Sequence, residues 1–171
     1  MSMKRTVLTW GLISGGVSAA LLLATIPFAD AIGFDKGEIL GYTTMVASAV
    51  IVFFGVRSYR ETVSGGKLSF GRGFTVGLLI AIVSCVCYVA AWEVAYFKFM
   101  PDFADKYAAY EMTKARAAGA SPAKLAEKAR QVQDFRKLYD NPWINAAITF
   151  TEPLPIFLGA TLISAAALRK R

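Results

Sequence analysis

A chain of 171 residues holds about one domain's worth of structure, and 56% of this one is hydrophobic. It has no histidine and only two cysteines, Cys85 and Cys87, so a zinc site and a Cys/His nucleophile both lack their side chains, and no metal or cofactor is expected. The formal charge is +7, which in a soluble protein would suggest nucleic acid; here the basic residues sort by loop, and no nucleic-acid partner is expected.

Four apolar runs cross the chain: Val7–Phe28, Ile39–Val56, Phe74–Phe99 and Trp143–Leu168. A helix needs about 20 such residues to cross a bilayer core. The fold expected is an all-α membrane protein, a single domain over 1–171, with four transmembrane helices. The first run follows Lys4 and Arg5 and carries Gly11-Leu12-Ile13-Ser14-Gly15, a spacing extended to Ala19. A rival reading of this run is a cleaved signal peptide ending near Ala29-Asp30-Ala31, which would leave three spans. The length of the apolar body and its interruption by Gly11, Gly15 and Gly16 argue against cleavage.

The first loop, Ala29–Glu38, sets Asp30, Asp35 and Glu38 against Lys36 alone. After the second run, the next loop sets Arg57, Arg60, Lys67 and Arg72 against Glu61. The C-terminus is Arg169-Lys170-Arg171. Short loops rich in Lys and Arg stay cytoplasmic. Both termini and the second loop are therefore expected inside, with the first loop and Met100–Pro142 outside. Trp10 would mark the inner membrane edge, and Trp92 and Trp143 the outer one. The stretch Gly65–Phe74 lacks the residue order of a phosphate-binding loop. It reads as a turn and then an interfacial segment. Phe70 and Phe74 would dip into lipid while Lys67 and Arg72 meet anionic headgroups. The expected partners thus begin with the lipid bilayer and an anionic lipid at the cytoplasmic face.

In the third run, Gly73, Gly77 and Ala81 repeat the small-residue spacing. Such faces let helix backbones approach closely in lipid, either within one chain or across a homodimer. Cys85 and Cys87 lie on different faces of a helix and read as small packing residues.

Met100–Pro142 carries eight basic and six acidic residues and reads as two helices. Pro101 suits a first helical position, Gly119 a C-terminal cap, and Ser121-Pro122 a restart. Phe103, Tyr107, Tyr110 and Lys114 share one face of the first helix. Leu125, Ala129, Val132, Phe135 and Tyr139 share one face of the second. The expectation is an antiparallel helical hairpin outside the membrane, roughly 25 Å tall at 1.5 Å rise per residue. It either merely connects two spans or docks an envelope protein.

The third and fourth runs each contain one glutamate, Glu93 and Glu152. Ionisable groups at membrane depth are costly and mark functional candidates. Both fall in the outer half of their spans. Glu152 opens Glu152-Pro153-Leu154-Pro155, and each proline removes an N–H, so the carbonyls of Thr149 and Thr151 lose helical partners. The fourth span is expected to kink there, bringing Thr149, Thr151, Pro153 and Pro155 near a carboxylate, as in the broken helices of some transporters. The two glutamates either fix helix register, protonated or bonded to Tyr88, Tyr96 or a threonine, or form a proton relay or cation site.

Several stretches taken together resemble a bacterial membrane family, domain of unknown function 4199. They are Thr6–Gly15, Gly41–Met45 with Phe54–Arg60, Leu68–Gly77, and, in the outer segment, Pro101–Phe103, Gly119–Ser121 and Tyr139–Pro142. The resemblance covers nearly the whole chain and implies a small inner-membrane protein. It supplies no reaction and no catalytic residue. Three functions compete. The first is a non-enzymatic envelope, scaffold or assembly factor acting through the outer hairpin. The second is a small transporter or proton/cation pathway through Glu93 and Glu152. The third, an intramembrane enzyme, is weakest, because no serine–lysine dyad or metal-ligand set is visible.

Overall fold

The first three apolar runs are helical throughout, and the fourth is helical apart from a break at Glu152-Pro153 and its last residue. The computed structural model describes residues 2–170. Its elements are α1 (Met3–Thr25), α2 (Ala29–Thr62), α3 (Phe70–Val94), α4 (Phe103–Ala117), α5 (Pro122–Tyr139), α6 (Pro142–Thr151) and α7 (Leu154–Ala167). Among the described residues there is no β-strand; one isolated antiparallel bridge joins Leu68 to Lys170. Three helical stretches are long and apolar enough to cross a membrane by length and composition: Met3–Thr62, Phe70–Phe99 and Pro142–Ala167.

The first of these is folded back on itself. A 3₁₀ turn, Ile26–Phe28, follows α1, and Gly33 inside α2 has φ +70°. Glycine adopts that left-handed value without a Cβ clash. The chain reverses, and α2 packs along α1, where the Ser14 hydroxyl donates to the Ser48 carbonyl at 2.9 Å. The stretch Ala29–Glu38, expected as a loop, is therefore helical except at Gly33. A tight reversal needs fewer loop residues than the charge pattern suggests.

The bundle packs small polar residues among apolar ones such as Phe157, Ile80 and Val76 inside, and still leaves many large apolar side chains on its outside. Thr6, Ser14, Ser48, Ser84 and Thr161 are fully buried, while Leu12 is 57% exposed and Ile163 68%. A Cβ placed on Gly11 would sit 2.6 Å from Val83 Cβ, and one on Gly15 2.5 Å from Cys87 Cβ. On the other side of α3, a Cβ on Gly77 would sit 2.8 Å from Thr161 Cγ2 of α7. The small-residue faces of α1 and α3 are thus occupied within the chain. The Ser84 hydroxyl donates to the Ile80 carbonyl of its own helix at 2.9 Å and shares that hydrogen with the Gly11 carbonyl of α1 at 3.3 Å.

Two ends follow from this packing. At one, Met3, Val63, Leu68 and Leu168 join the main core, so the start of α1, the α2–α3 loop and the end of α7 lie together. At the other, Phe34 of α2 meets Phe103, Tyr107 and Tyr110 of α4, and Tyr96 meets Phe103 and Tyr139. α4 begins at Phe103 with Asp102 as its cap residue, so Pro101 lies in the preceding turn instead of the first helical position. Its other end matches the sequence reading. Gly119 takes φ +71°, and the Ala120 N–H reaches the Ala115 carbonyl at 3.1 Å, which closes the helix. Ser121 then caps α5 by accepting from the Lys124 N–H.

Candidate functional site

The polar groups that converge at the α4–α5 end come from α3, α5 and α6. α3 does not end as a plain helix. After Glu93 it widens into a π-helical turn, Ala95–Phe99, closed by the Met100 N–H on the Ala95 carbonyl at 2.9 Å. Such turns are rare and recur at functional positions. Glu93 is half-buried, and its Oε1 is enclosed without any hydrogen-bond partner. A buried polar atom left unpaired is costly, and each instance calls for a reason. Neither Tyr88 nor Tyr96 bonds it; Tyr96 is instead packed edge-on against Phe97, Phe103 and Tyr139.

On α6, the Asn141 side chain accepts from the N–H groups of Trp143 and Ile144 at 3.0 and 3.4 Å. Pro142 takes the first helical position, where its missing N–H costs nothing. One turn on, Asn145 is fully buried. Its Oδ1 accepts from the Trp92 indole N–H at 3.0 Å and from the Thr149 hydroxyl at 3.1 Å, and its Nδ2 donates to the Tyr139 carbonyl at 3.2 Å. Trp92, expected as an outer-edge anchor, therefore points its N–H into the bundle. Trp143 remains 85% exposed.

The hydrogen-bond ladder of the last apolar run breaks between Thr151 and Leu154. Glu152 and Pro153 both keep right-handed helical dihedrals, so the bonding is interrupted more than the direction. The Glu152 N–H falls back to the Thr149 carbonyl at 3.3 Å. Thr149 faces inward and is buried. Thr151 is exposed and donates to the Ile148 carbonyl at 2.6 Å. Residues two apart point to different helix faces, so the two threonines do not gather at one point. Pro153 is buried, and Pro155 sits in the first turn of α7. Glu152 is exposed on the helix surface. Among the described residues no hydrogen bond joins Glu93 to Glu152. Burial pushes the Tyr139 phenol up to about 12.

Asn145, Trp92 and Tyr139 escaped the sequence reading as site residues. An asparagine one turn after Asn141-Pro142, inside an apolar run, is the signal that marks this position. Among the described residues no group of three or more His, Cys, Asp or Glu side chains is placed to hold a metal ion.

The same end holds α4 firmly. Lys106 Nζ lies 2.7 Å from Asp30 and 2.9 Å from Asp102. Tyr110 donates to Asp35, which Lys114 also approaches at 3.4 Å. Glu111 with Lys128, and Asp105 with Arg136, tie α4 to α5. Hydrogen bonds to Asp30 and Asp102 hold the Lys106 ammonium above its ordinary value, and Lys106 holds the Asp102 carboxyl below its own.

At the opposite end, Arg57 pairs with Glu61 at 3.0 Å on the surface of α2. Arg60 reaches Glu61 at 3.2 Å and the Leu168 carbonyl at 3.5 Å. Lys67 and Arg72 line an open depression with Lys170.

Residues 9–170 match the family described as "protein of unknown function (DUF4199)", so the chain belongs to that family. No curated protein and no solved structure matches it.

Proposed function

We propose that this family member is a four-span protein of the bacterial inner membrane, with both termini cytoplasmic, that works without catalysis. In this reading it is an envelope scaffold or assembly factor that displays α4 and α5 on the outer face. The membrane assignment is supported by the many large apolar side chains left on the outside of the bundle, among them Leu12 and Ile163, and by the glycines at the α1–α3 and α3–α7 contacts. Packing by small residues, with large apolar side chains facing out, is how helices associate in lipid. The side assignment is supported by charge bias and by the ends described above. Asp30 and Asp35 share an end with α4, while the Lys67 loop shares an end with Lys170.

The observation that carries the scaffold reading is that α4 is pinned. A mere connector between spans would need only its two ends. Here Phe34 packs on three aromatic rings of α4, and two carboxylates of α2 clasp Lys106, Tyr110 and Lys114. Aromatic pairs contribute about 0.5–1.5 kcal/mol each beyond their area. α5 then packs on α4 and turns Lys124, Glu127, Gln131 and Asp134 outward, all exposed. Cysteines placed at Thr113 or Gln131 should react with a membrane-impermeant maleimide in intact cells, and one at Ser64 only after lysis. A photo-crosslinker at Gln131 should give a discrete adduct that charge reversal at Glu127 and Asp134 removes. Labelling at Ser64 in intact cells would reject the orientation. Adducts unchanged by the reversal would reject the display role.

A second reading, a proton or cation pathway, is favoured by one feature: the enclosed, unpartnered Glu93 Oε1 beside a π-helical turn. If Glu93→Gln and Glu152→Gln retained full transport activity in proteoliposomes, that reading would be lost.

A further inference from the structure

The basic residues at the termini-bearing end are gathered by a specific device. Leu68 and Lys170 exchange backbone hydrogen bonds, N–H to carbonyl, at 2.8 and 2.9 Å. The Leu68 side chain is only 2% exposed and joins the core with Leu168. The tail is therefore clasped to the α2–α3 loop and does not hang free. This brings Lys67, Arg72 and Lys170 around one open depression of about 310 Å³, whose remaining wall includes Ser64 and Ser69. The three cations are exposed, and among the described residues none forms an ion pair. The nearest acid on the loop side, Glu61, is already taken by Arg57 and Arg60. Three like charges around one hollow repel each other, and a bound anion relieves that repulsion. Immediately along the chain, Phe70 is 41% exposed and stacks on Phe74 at 6.3 Å.

We propose that this depression binds the phosphate of an anionic phospholipid, with the acyl chains lying along Phe70 and Phe74. Lys67, Arg72 and Lys170 supply the charge, and the hydroxyls of Ser64 and Ser69 supply neutral donors. The aromatic pair selects a lipid over a free phosphate, because only the lipid has chains to cover it. The C-terminal clasp is then a binding element, since without it Lys170 is not held at the site. This rests on the reading that the bundle spans a membrane, but not on which side the termini face.

The test uses the purified full chain in neutral detergent, with thermal unfolding read by tryptophan fluorescence. Dioleoyl phosphatidylglycerol, dioleoyl phosphatidylcholine and inorganic phosphate are titrated separately. Phosphatidylglycerol should raise the unfolding temperature saturably at concentrations where the other two do nothing. Each cation near a membrane surface is worth about fivefold in affinity for anionic lipid. The double variant Lys67→Gln/Lys170→Gln should therefore weaken the titration about 25-fold, while Lys124→Gln, at the far end, should leave it unchanged. Because Lys170 bridges through its backbone, the substitution leaves the clasp intact, and an unshifted unfolding temperature without lipid checks this. Equal titrations by phosphatidylglycerol in wild type and double variant would overturn the site. Full stabilisation by inorganic phosphate would overturn the lipid assignment. Neither result touches the membrane reading, which impermeant-reagent labelling tests on its own.

Discussion

Gly15→Ala adds one methyl group at the tightest point between α1 and α3. Its Cβ would lie 2.5 Å from Cys87 Cβ, 2.9 Å from Cys87 Sγ and 3.1 Å from the Ser84 Cα. Carbon atoms in contact prefer about 3.5–4.0 Å, so the helices must separate by about 1 Å. Cys87 Cβ and Ser84 Cα are fixed to backbone and cannot rotate away. Separation also stretches the Ser84 hydroxyl from the Gly11 carbonyl, already at 3.3 Å. Overpacking of this kind costs about 1–3 kcal/mol. The next residue supplies the control, because a Cβ on Gly16 meets nothing within 4 Å. There alanine should be neutral or stabilising by up to about 1 kcal/mol through helix propensity. Unfolding of both variants in the same detergent, followed by tryptophan fluorescence, separates the cases. At about 2–4 °C per kcal/mol for a chain of this size, Gly15→Ala should unfold some 2–12 °C below wild type. If Gly15→Ala and Gly16→Ala unfold together, α1 does not pack on α3 through this face.

Asn145→Ala removes three hydrogen bonds and leaves the Trp92 N–H and the Tyr139 carbonyl without their partner; with about 1 kcal/mol per bond the loss should be roughly 3 kcal/mol. In a background where only Trp92 remains, the emission should also shift, and an unchanged spectrum would remove Asn145 from contact with Trp92. Glu93→Leu should stabilise the protein in detergent by about 1–3 kcal/mol, because the unpaired Oε1 disappears; a large loss of stability would mean that the carboxyl is a structural tie. The clasp of α4 on α2 should depend on pH at both extremes. The Asp35 carboxyl of α2 is lowered by the hydrogen bond from Tyr110 and, behind it, by Lys114, so its contribution is present above the ordinary value near 4 and is lost as pH falls through the lower folded one. The Lys106 ammonium is raised by Asp30 and Asp102. Its contribution is present below the ordinary value near 10.4 and is lost as pH rises through the higher folded one. Spin labels at Lys36 and Thr113 should report one distance across neutral pH and a broadened one at either extreme; a constant distance throughout would show that the aromatic contacts suffice.

Much of the architecture was readable from residue order. Apolar run length made the chain helical, Ser121-Pro122 and Gly119 placed the ends of α4 and α5, and the glycine spacing marked the close-packed faces of α1 and α3. These are local or periodic properties, and each residue carries its own signal. Charge counts also paired the loops as the structure groups them, because Asp30 and Asp35 meet α4 while Lys67 meets Lys170. The reversal at Gly33 was hidden, since a left-handed glycine inside a helix looks like any other glycine in sequence.

The site depended on tertiary structure, because its members are far apart in the chain. Trp92 and Asn145 are 53 residues apart, and no spacing rule joins them. The π-helical turn after Glu93 widens a helix whose residues carry no special mark. Thr149 and Thr151 looked equivalent beside the prolines, but helix geometry sends one inward and the other out. The sequence on its own determined that the chain is helical and apolar enough for a membrane, since hydropathy and period are properties of consecutive residues. Which polar groups meet inside it, and which glutamate is enclosed, was decided only when α3, α5 and α6, separate in the chain, packed together.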